Sequence, residues 1–259
     1  MGAAAQVRGN EFQSPWVATG GVVVNNTFGV ALSSSVQINT LLTLTNGVLS
    51  IGDNDLIFGG VAAPVAGASA PNYISTVATG QVRKLFFTNG TYTFQIGNAG
   101  WTPITLGVSG TSYLDAYVAV NTQNWKFLAN ANTTNYLARF WNVGLSGIEN
   151  PSYVVLGANF MPADVAGSES TILMGAYMGA VPWVKIPGSA VNTTTHTLSA
   201  SGAIIEANAV ITGINAVAPL VDISSVTPIC VGFSTGFTAT GIGDAAFTYS
   251  WSPATGFSA

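Results

Sequence analysis

Apolar and polar residues alternate along most of the chain, which is the pattern of β-strands that bury one face. In the first 60 residues the apolar positions form short pairs with a period of 2, separated by Asn, Gly or Asp. Residues of this kind mark the turns between strands. No helical period competes with the alternation, so the sequence predicts an all-β protein. The pairs are Val22/Val24, Val36/Ile38, Leu42/Leu44, Leu49/Ile51 and Leu56/Phe58.

Two arrangements of short strands fit residues 42–58. Asn46-Gly47 is a sequence that favours the type I′ turn of a β-hairpin. The pairs that begin at Leu42, Leu49 and Leu56 are also evenly spaced, as on successive faces of a small β-solenoid. The low charge favours the solenoid, because stacked coils use ladders of neutral Asn, Thr and Ser. We therefore predict a short β-solenoid or hairpin region with a linker over residues 1–80.

The rest of the chain divides into two further regions. Residues 81–217 contain longer strands with frequent turn signals, which predicts an antiparallel β-sandwich. Residues 218–259 repeat the alternation but leave room for only about four strands, whereas an immunoglobulin-type sandwich needs about seven. We therefore predict that the chain ends in a partial immunoglobulin-like module.

Composition excludes several classes of function. The 259 residues include 6 Lys and Arg, 10 Asp and Glu, and one His, and charged residues make up 6% of the chain. Nucleic-acid binding needs several cations on one face, so we expect no nucleic acid as a partner. Polar residues interrupt every apolar run before about 18 residues, so we expect no transmembrane segment. Neutral polar strand faces are typical of extracellular β-proteins, and we predict an extracellular or cell-surface location.

Residues able to support catalysis or metal binding are few. His196 lies in a Thr-rich segment without the G-x-S-x-G motif of a serine hydrolase, so we interpret it as a strand-surface residue. Asp53 and Asp55 could offer oxygen ligands to Ca²⁺, but a turn with Asx hydrogen bonds explains them equally well. Cys230 is the only cysteine, and one Cys with one His cannot build a four-coordinate zinc site. We predict no catalytic residue, no cofactor and no metal.

Two further sets of residues are candidates for ligand contact. The acidic residues Glu149, Asp164 and Glu169 lie in predicted loops and could form a second cation site or a carboxylate pair for glycoside hydrolysis, although chance explains their spacing. Trp125, between Asn124 and Lys126, is the Trp that we expect to be most exposed. An exposed Trp can stack on a sugar ring, so Trp125 is our candidate ligand-binding residue.

The C-terminal sequence carries a resemblance to a known group of proteins. The segments Pro228–Gly232, Phe237–Gly241 and Tyr249–Gly256 resemble the PKD-like, immunoglobulin-like repeats of large secreted adhesin-type proteins of gliding bacteria. In those repeats the Trp of the Y-x-W-x-P-x-T-G signature packs in the sandwich core. The resemblance therefore implies that Trp251 is a core residue and not part of a site.

The middle of the chain is similar to a β-domain of the same surface proteins. The similarity rests on Phe94–Gly97 followed by Trp101–Pro103, with Gln95 in place of the family's Pro. Gly80–Arg83 and Phe140–Val143 match two of its other strands, and Leu42–Leu49 resembles the short solenoid coils that precede it. The resemblance implies a type IX-secreted, multi-domain surface protein.

We therefore expect a non-enzymatic structural or adhesive segment of an extracellular surface protein. Its partners would be other copies of itself or other domains of a longer surface protein. A partial module leaves strand edges open, so self-assembly into filaments by strand addition is one expected mechanism. The alternatives are a carbohydrate-binding module of a secreted protein, with glycans as partners, and a polysaccharide-active enzyme of solenoid or sandwich type.

Overall fold

Strands dominate the structure, which is a computed structural model that describes residues 6–7, 16–60, 65–179, 183–215, 220–223 and 239–242. The predicted all-β class is confirmed. In the described part of the chain the helices are two 3₁₀ turns, η1 (Pro162–Asp164) and η2 (Glu169–Thr171), and no helix there is long and apolar enough to cross a membrane. The strands are β1 Gln6–Val7, β2 Trp16–Ala18, β3 Val22–Asn25, β4 Val30–Ala31, β5 Val36–Ile38, β6 Leu42–Asn46, β7 Leu49–Ser50, β8 Leu56–Phe58, β9 Ile74–Ser75, β10 Val82–Leu85, β11 Gly90–Phe94, β12 Ile96–Gly97, β13 Ile104–Ser109, β14 Ser112–Gln123, β15 Tyr136–Leu137, β16 Phe140–Glu149, β17 Ser152–Asn159, β18 Val165–Ala166, β19 Ile172–Tyr177, β20 Val184–Lys185, β21 Ala190–Asn192, β22 Thr197–Ser199, β23 Asn208–Asn215, β24 Leu220–Ile223 and β25 Ala239–Ile242.

The first part of the chain winds into a parallel β-solenoid with three faces. One face contains β1, β4, β7, β9 and β12, the second begins with β2, β5, β8 and β10, and the third contains β3 and β6. All pairs between these strands are parallel. Residues 42–58 form part of the solenoid and not a hairpin. The strands on either side of Asn46-Gly47, β6 and β7, lie on different faces and do not pair with each other. Gly47 sits at the corner between them with φ 84°, where a Cβ atom would run into the backbone of Asn26.

Equivalent positions of successive coils stack on one another. Val36, Leu56 and Val82 are register partners and all three are almost completely buried. The predicted neutral ladder is present at a corner, where the side-chain amide of Asn46 donates to Asn25 Oδ1 at 2.6 Å. Stacked apolar residues inside and an amide pair outside therefore help to hold the coils together.

The second solenoid face continues directly into the sandwich. Strand β10 pairs with β8 in parallel on one side and with β14 in antiparallel on the other. The result is a nine-stranded sheet in the order β2-β5-β8-β10-β14-β16-β23-β19-β20. The predicted boundary at residue 80 lies between β8 and β10, two neighbouring strands of this sheet.

A five-stranded sheet in the order β11-β13-β17-β22-β21 completes the sandwich, and its pairs are all antiparallel. Its buried face contributes Phe94, Leu106 and Tyr153 to the same core as Trp141 and Ile211 of the nine-stranded sheet. The antiparallel sheets predicted for this region are thus confirmed.

The chain forms two compact units, residues 1–215 and 216–259. In the second unit the structure describes β24 and β25, which pair in antiparallel. Cys230, Trp251 and the C-terminal signature lie outside the described residues. The partial immunoglobulin-like module stays a prediction.

A buried ion pair ties loops of the sandwich to its core. Arg139, which is 1% exposed, binds Asp164 through two contacts, Nε to Oδ2 at 2.5 Å and Nη2 to Oδ1 at 3.2 Å. Arg139 Nη2 also donates to the carbonyl of Asn98 at 3.0 Å, and Nη1 donates to Thr102 Oγ1 at 3.3 Å. The guanidinium therefore joins η1 to the loop between β12 and β13.

Removing the carboxylate should destabilise the fold strongly. Asp164→Asn leaves the charge of Arg139 buried without a counter-charge, and we expect a loss of about 3–5 kcal/mol in the free energy of unfolding, measured with urea. The control is Glu169→Gln, which alters the partly exposed His196–Glu169 contact and should cost about 0–1 kcal/mol. Equal losses in the two variants would contradict this role for the buried pair.

Lys84 lies on the inner side of β10, where the solenoid meets the sandwich. It is 5% exposed, and its Nζ donates to the carbonyl oxygens of Gly59 and Gly60. The ring centroid of Tyr92 lies 5.3 Å from the same nitrogen. Burial lowers the pKa of Lys84 to about 8.

This lowered pKa predicts a pH-dependent stability. Between about pH 8 and pH 10.5 the unfolded chain keeps the lysine proton while the folded chain releases it, so the contribution of Lys84 to stability rises with pH and is lost as pH falls through about 8. The test compares urea unfolding of the wild type and of Lys84→Met across this range. As pH rises, the unfolding free energy of the wild type should increase relative to that of Lys84→Met. A constant difference would show that Lys84 does not titrate there.

Candidate binding groove on the nine-stranded sheet

A groove of about 300 Å³ lies on the outer face of the nine-stranded sheet. Its lining includes Gln81 before β10, three consecutive residues of β16, three of β23, Tyr177 at the end of β19 and Gly179. Along β16 and β23 the inward residues are buried in the core, and the alternate residues face the groove. These outward residues are Asn142, Gly144, Asn208 and Val210.

Strand register assembles the groove from distant parts of the sequence. Asn142 pairs with Val210, and Gly144 pairs with Asn208. The side-chain amide of Asn142 donates to Asn121 Oδ1 on β14 at 2.7 Å, which fixes its orientation. Each lining residue therefore depends on the pairing of β14, β16 and β23.

Gly144 keeps the floor of the groove low. A Cβ atom at this position would lie 3.1 Å from Asn208 Oδ1, closer than an ordinary van der Waals contact. On its other side Gly144 pairs with Ala119, which also has a small side chain. The groove is thus a trough with Gly144 on its floor and amides at its sides.

The chemistry of the groove is polar but uncharged. Gln81, Asn142 and Asn208 each carry an amide, which both donates and accepts hydrogen bonds. None of the described residues that line the groove is Asp, Glu, Lys or Arg. Tyr177 adds an aromatic ring. Such a surface suits a neutral ligand with many hydroxyl groups.

An aromatic cluster adjoins the groove. Phe140 precedes Asn142 by two residues on β16, so both lie on the outer face. Its ring packs edge to face against Trp125, with centroids 5.8 Å apart, and against Phe127, with centroids 5.0 Å apart. Phe127 also packs against the groove residue Tyr177 at 5.4 Å. The cluster therefore connects Tyr177 to Trp125.

Two Trp residues of this cluster differ in exposure. Trp125 is 50% exposed, as its polar neighbours predict. Trp183 is 3% exposed, packs against Phe127 and Tyr177, and donates its Nε1 hydrogen to the carbonyl of Ala129 at 2.8 Å. Trp125 is thus the member of this pair that a ligand can reach, and its role in binding stays a prediction.

The Asp residues considered for Ca²⁺ have structural partners. Thr79 donates to Asp53 Oδ1 from its hydroxyl at 2.7 Å and from its backbone at 3.2 Å, and these bonds lower the pKa of Asp53. Asp55 pairs with Arg83 at 2.8 Å. In the described ranges no group of three or more His, Cys, Asp or Glu side chains is placed to hold a metal ion.

The three other acidic candidates have separate partners. Glu149 accepts a hydrogen bond from Ser112 Oγ at 2.7 Å, and Asp164 is buried against Arg139. Glu169 lies 3.0 Å from Nδ1 of His196, which sits at φ 51° in the turn before β22 and not within a strand. Each carboxylate is therefore held by a different part of the sandwich.

Sequence reasoning missed the groove because its polar residues belong to separate segments. Gln81, Asn142 and Asn208 form no motif, and each resembles any outward-facing strand residue. The available signal was Gly144, since a glycine inside a strand often marks a close approach by another group.

Comparisons of this chain with protein-family models, with curated proteins and with solved structures found no match. Function is therefore argued from the geometry and chemistry of the groove.

The difference between the two Trp residues predicts different mutational effects. Trp125→Ala should change the unfolding free energy by no more than about 1 kcal/mol, because half of the ring is already in solvent. Trp183→Ala should cost about 3–5 kcal/mol, because it empties a buried site. Urea unfolding of both variants measures this, and a large loss for Trp125→Ala would mean that the ring serves packing.

Proposed function

We propose that this chain is an adhesive module of an extracellular surface protein, and that it binds a neutral glycan in the groove without catalysing a reaction. One observation carries the proposal: an uncharged trough, lined by the amides of Gln81, Asn142 and Asn208, ends at an aromatic cluster with the half-exposed Trp125.

Sugar rings offer two kinds of surface, and the groove matches both. Their hydroxyl groups donate and accept hydrogen bonds, as do the three amides. Their apolar faces stack on aromatic rings, which Tyr177 and Trp125 provide. The absence of charge among the described lining residues favours neutral over acidic sugars, because an acidic sugar would leave its carboxylate without a cationic partner.

The composition supports an extracellular role. Only 6% of the residues are charged, and neutral Asn, Thr and Ser make up most of the polar residues of the chain. The resemblance of residues 228–256 to repeats of secreted adhesin-type proteins points the same way. A type IX-secreted adhesin of gliding bacteria is the parent protein that we propose on this basis.

We favour binding over the alternatives. A glycan-cleaving enzyme uses two carboxyl groups on either side of the bond, and no carboxylate is among the described residues that line the groove. Self-assembly by strand addition rests on residues 218–259, of which the structure describes only β24 and β25. It stays a prediction.

Filling the trough tests the proposal. We expect the wild type to bind neutral polysaccharides, such as β-glucans, xylans or mannans, on an array that also carries acidic alginates. Gly144→Leu should weaken binding at least about tenfold by calorimetry, because the new side chain occupies the space of the ligand.

The matched control is Gly107→Leu. Gly107 is also an outward-facing strand glycine, but it lies on the five-stranded sheet, where an added Cβ atom meets only ordinary contacts at 3.6 Å or more. This variant should bind like the wild type. Equal binding by Gly144→Leu and Gly107→Leu would rule out the groove, and a wild type that retains no glycan would refute the proposed function.

A further inference from the structure

We infer that the ligand of the groove is a polymer that leaves it across the strands and continues along the outer face of the solenoid. This inference rests on the proposed function and extends the binding surface to a second region of the chain. It follows from the nine-stranded sheet, which runs from the solenoid into the sandwich without interruption.

Strand register defines the path. Gly144 and Asn208 of the groove belong to one row of register partners that crosses six strands. From Gly144 the row passes through Ala119 to Arg83 on β10. It then reaches the solenoid strands β8 and β5. From β23 to β5 the row is Asn208, Gly144, Ala119, Arg83, Ile57 and Gln37.

The residues of this row have the same orientation. On β16, β14, β10, β8 and β5 the residues on either side of the row are buried, as Leu56 and Phe58 are beside Ile57. Gln37, Ile57 and Arg83 themselves are partly exposed. Gly144 is partly exposed, whereas Ala119 is 3% exposed, so neighbouring side chains cover the row at β14 and the path passes over them. Each strand step adds about 5 Å to the path.

The solenoid part of the path also offers hydrogen-bonding groups, which here include an ion pair. Asp55 and Arg83 form an ion pair at 2.8 Å, and the guanidinium lies 5.0 Å from the ring centroid of Tyr117. The pair has no net charge but presents fixed donors and acceptors. The amide of Gln37 is held by Asn39 Oδ1 at 2.8 Å.

A second row of contacts links the groove residue Gln81 to the solenoid. The backbone N–H of Gln81 donates to Asp55 Oδ1 at 3.1 Å, and that of Asp55 donates to Ser35 Oγ at 3.0 Å. Short polar side chains therefore accompany the path on one side. A hydroxyl-rich chain that passes Gln81 meets hydrogen-bonding groups on the next two strands, which favours a polymer over a short sugar.

The test measures affinity against chain length with neutral cello-, xylo- and manno-oligosaccharides. By calorimetry, hexamers to octamers should bind the wild type at least about tenfold more tightly than dimers or trimers. Ile57→Glu should abolish this gain, since it places a bulky charge on the path, while leaving the affinity for trimers unchanged. Gln37→Lys tests the same path if Ile57→Glu fails to fold, as judged by circular dichroism.

Thr43→Glu is the matched control. Thr43 is a partly exposed, mid-strand residue of β6, on a different solenoid face, and this variant should keep the gain with length. A wild type that binds long and short oligosaccharides equally, or an Ile57→Glu that keeps the gain, would overturn the inference and leave the proposed function intact. If the wild type binds none of them at any length, both fail.

Discussion

The backbone hydrogen bonds on the two sides of β10 determine the organisation of this protein. A parallel solenoid ends in a strand whose outer N–H and C=O groups need partners, and an unpaired edge invites association with other chains. Here β14 supplies those partners in antiparallel, so the sandwich serves as a cap for the solenoid. Solenoid and sandwich consequently share a sheet and a core, and the groove forms beside the strand where they join.

The chain has few charged side chains, and some of them are buried. Arg139 is almost completely buried in the sandwich, and Lys84 is buried where the solenoid joins it. The outer faces carry a few charges, such as the Asp55–Arg83 pair, and most of their other polar groups are amides and hydroxyls. Interactions of such groups are far less sensitive to ionic strength than ion pairs between exposed side chains. We therefore expect binding in the proposed groove to depend little on salt concentration.

The sequence predicted the features that depend on neighbouring residues. It could not predict the features that depend on how distant strands pair. Alternation at Leu42/Leu44 and Leu56/Phe58 was enough to predict strands, and the polar neighbours of Trp125 were enough to predict its exposure. Asn46-Gly47 could not separate hairpin from solenoid, because a glycine with positive φ serves either turn. The choice is made by partners about 20 residues away, such as Val24 for Leu44. The groove was hidden for the same reason, since Asn142 and Asn208 meet only after β16 and β23 have paired.

The solenoid coils differ in length although their registers are regular. From Val30 to Leu49, from Leu49 to Ile74 and from Ile74 to Ile96 the coils take 19, 25 and 22 residues, and each nevertheless returns to the same face. The difference in length therefore lies outside the paired strand positions. Insertions and deletions there can accumulate over evolution while the stacked positions stay in place. Such a solenoid can lose every trace of an internal sequence repeat and still be built from repeating coils.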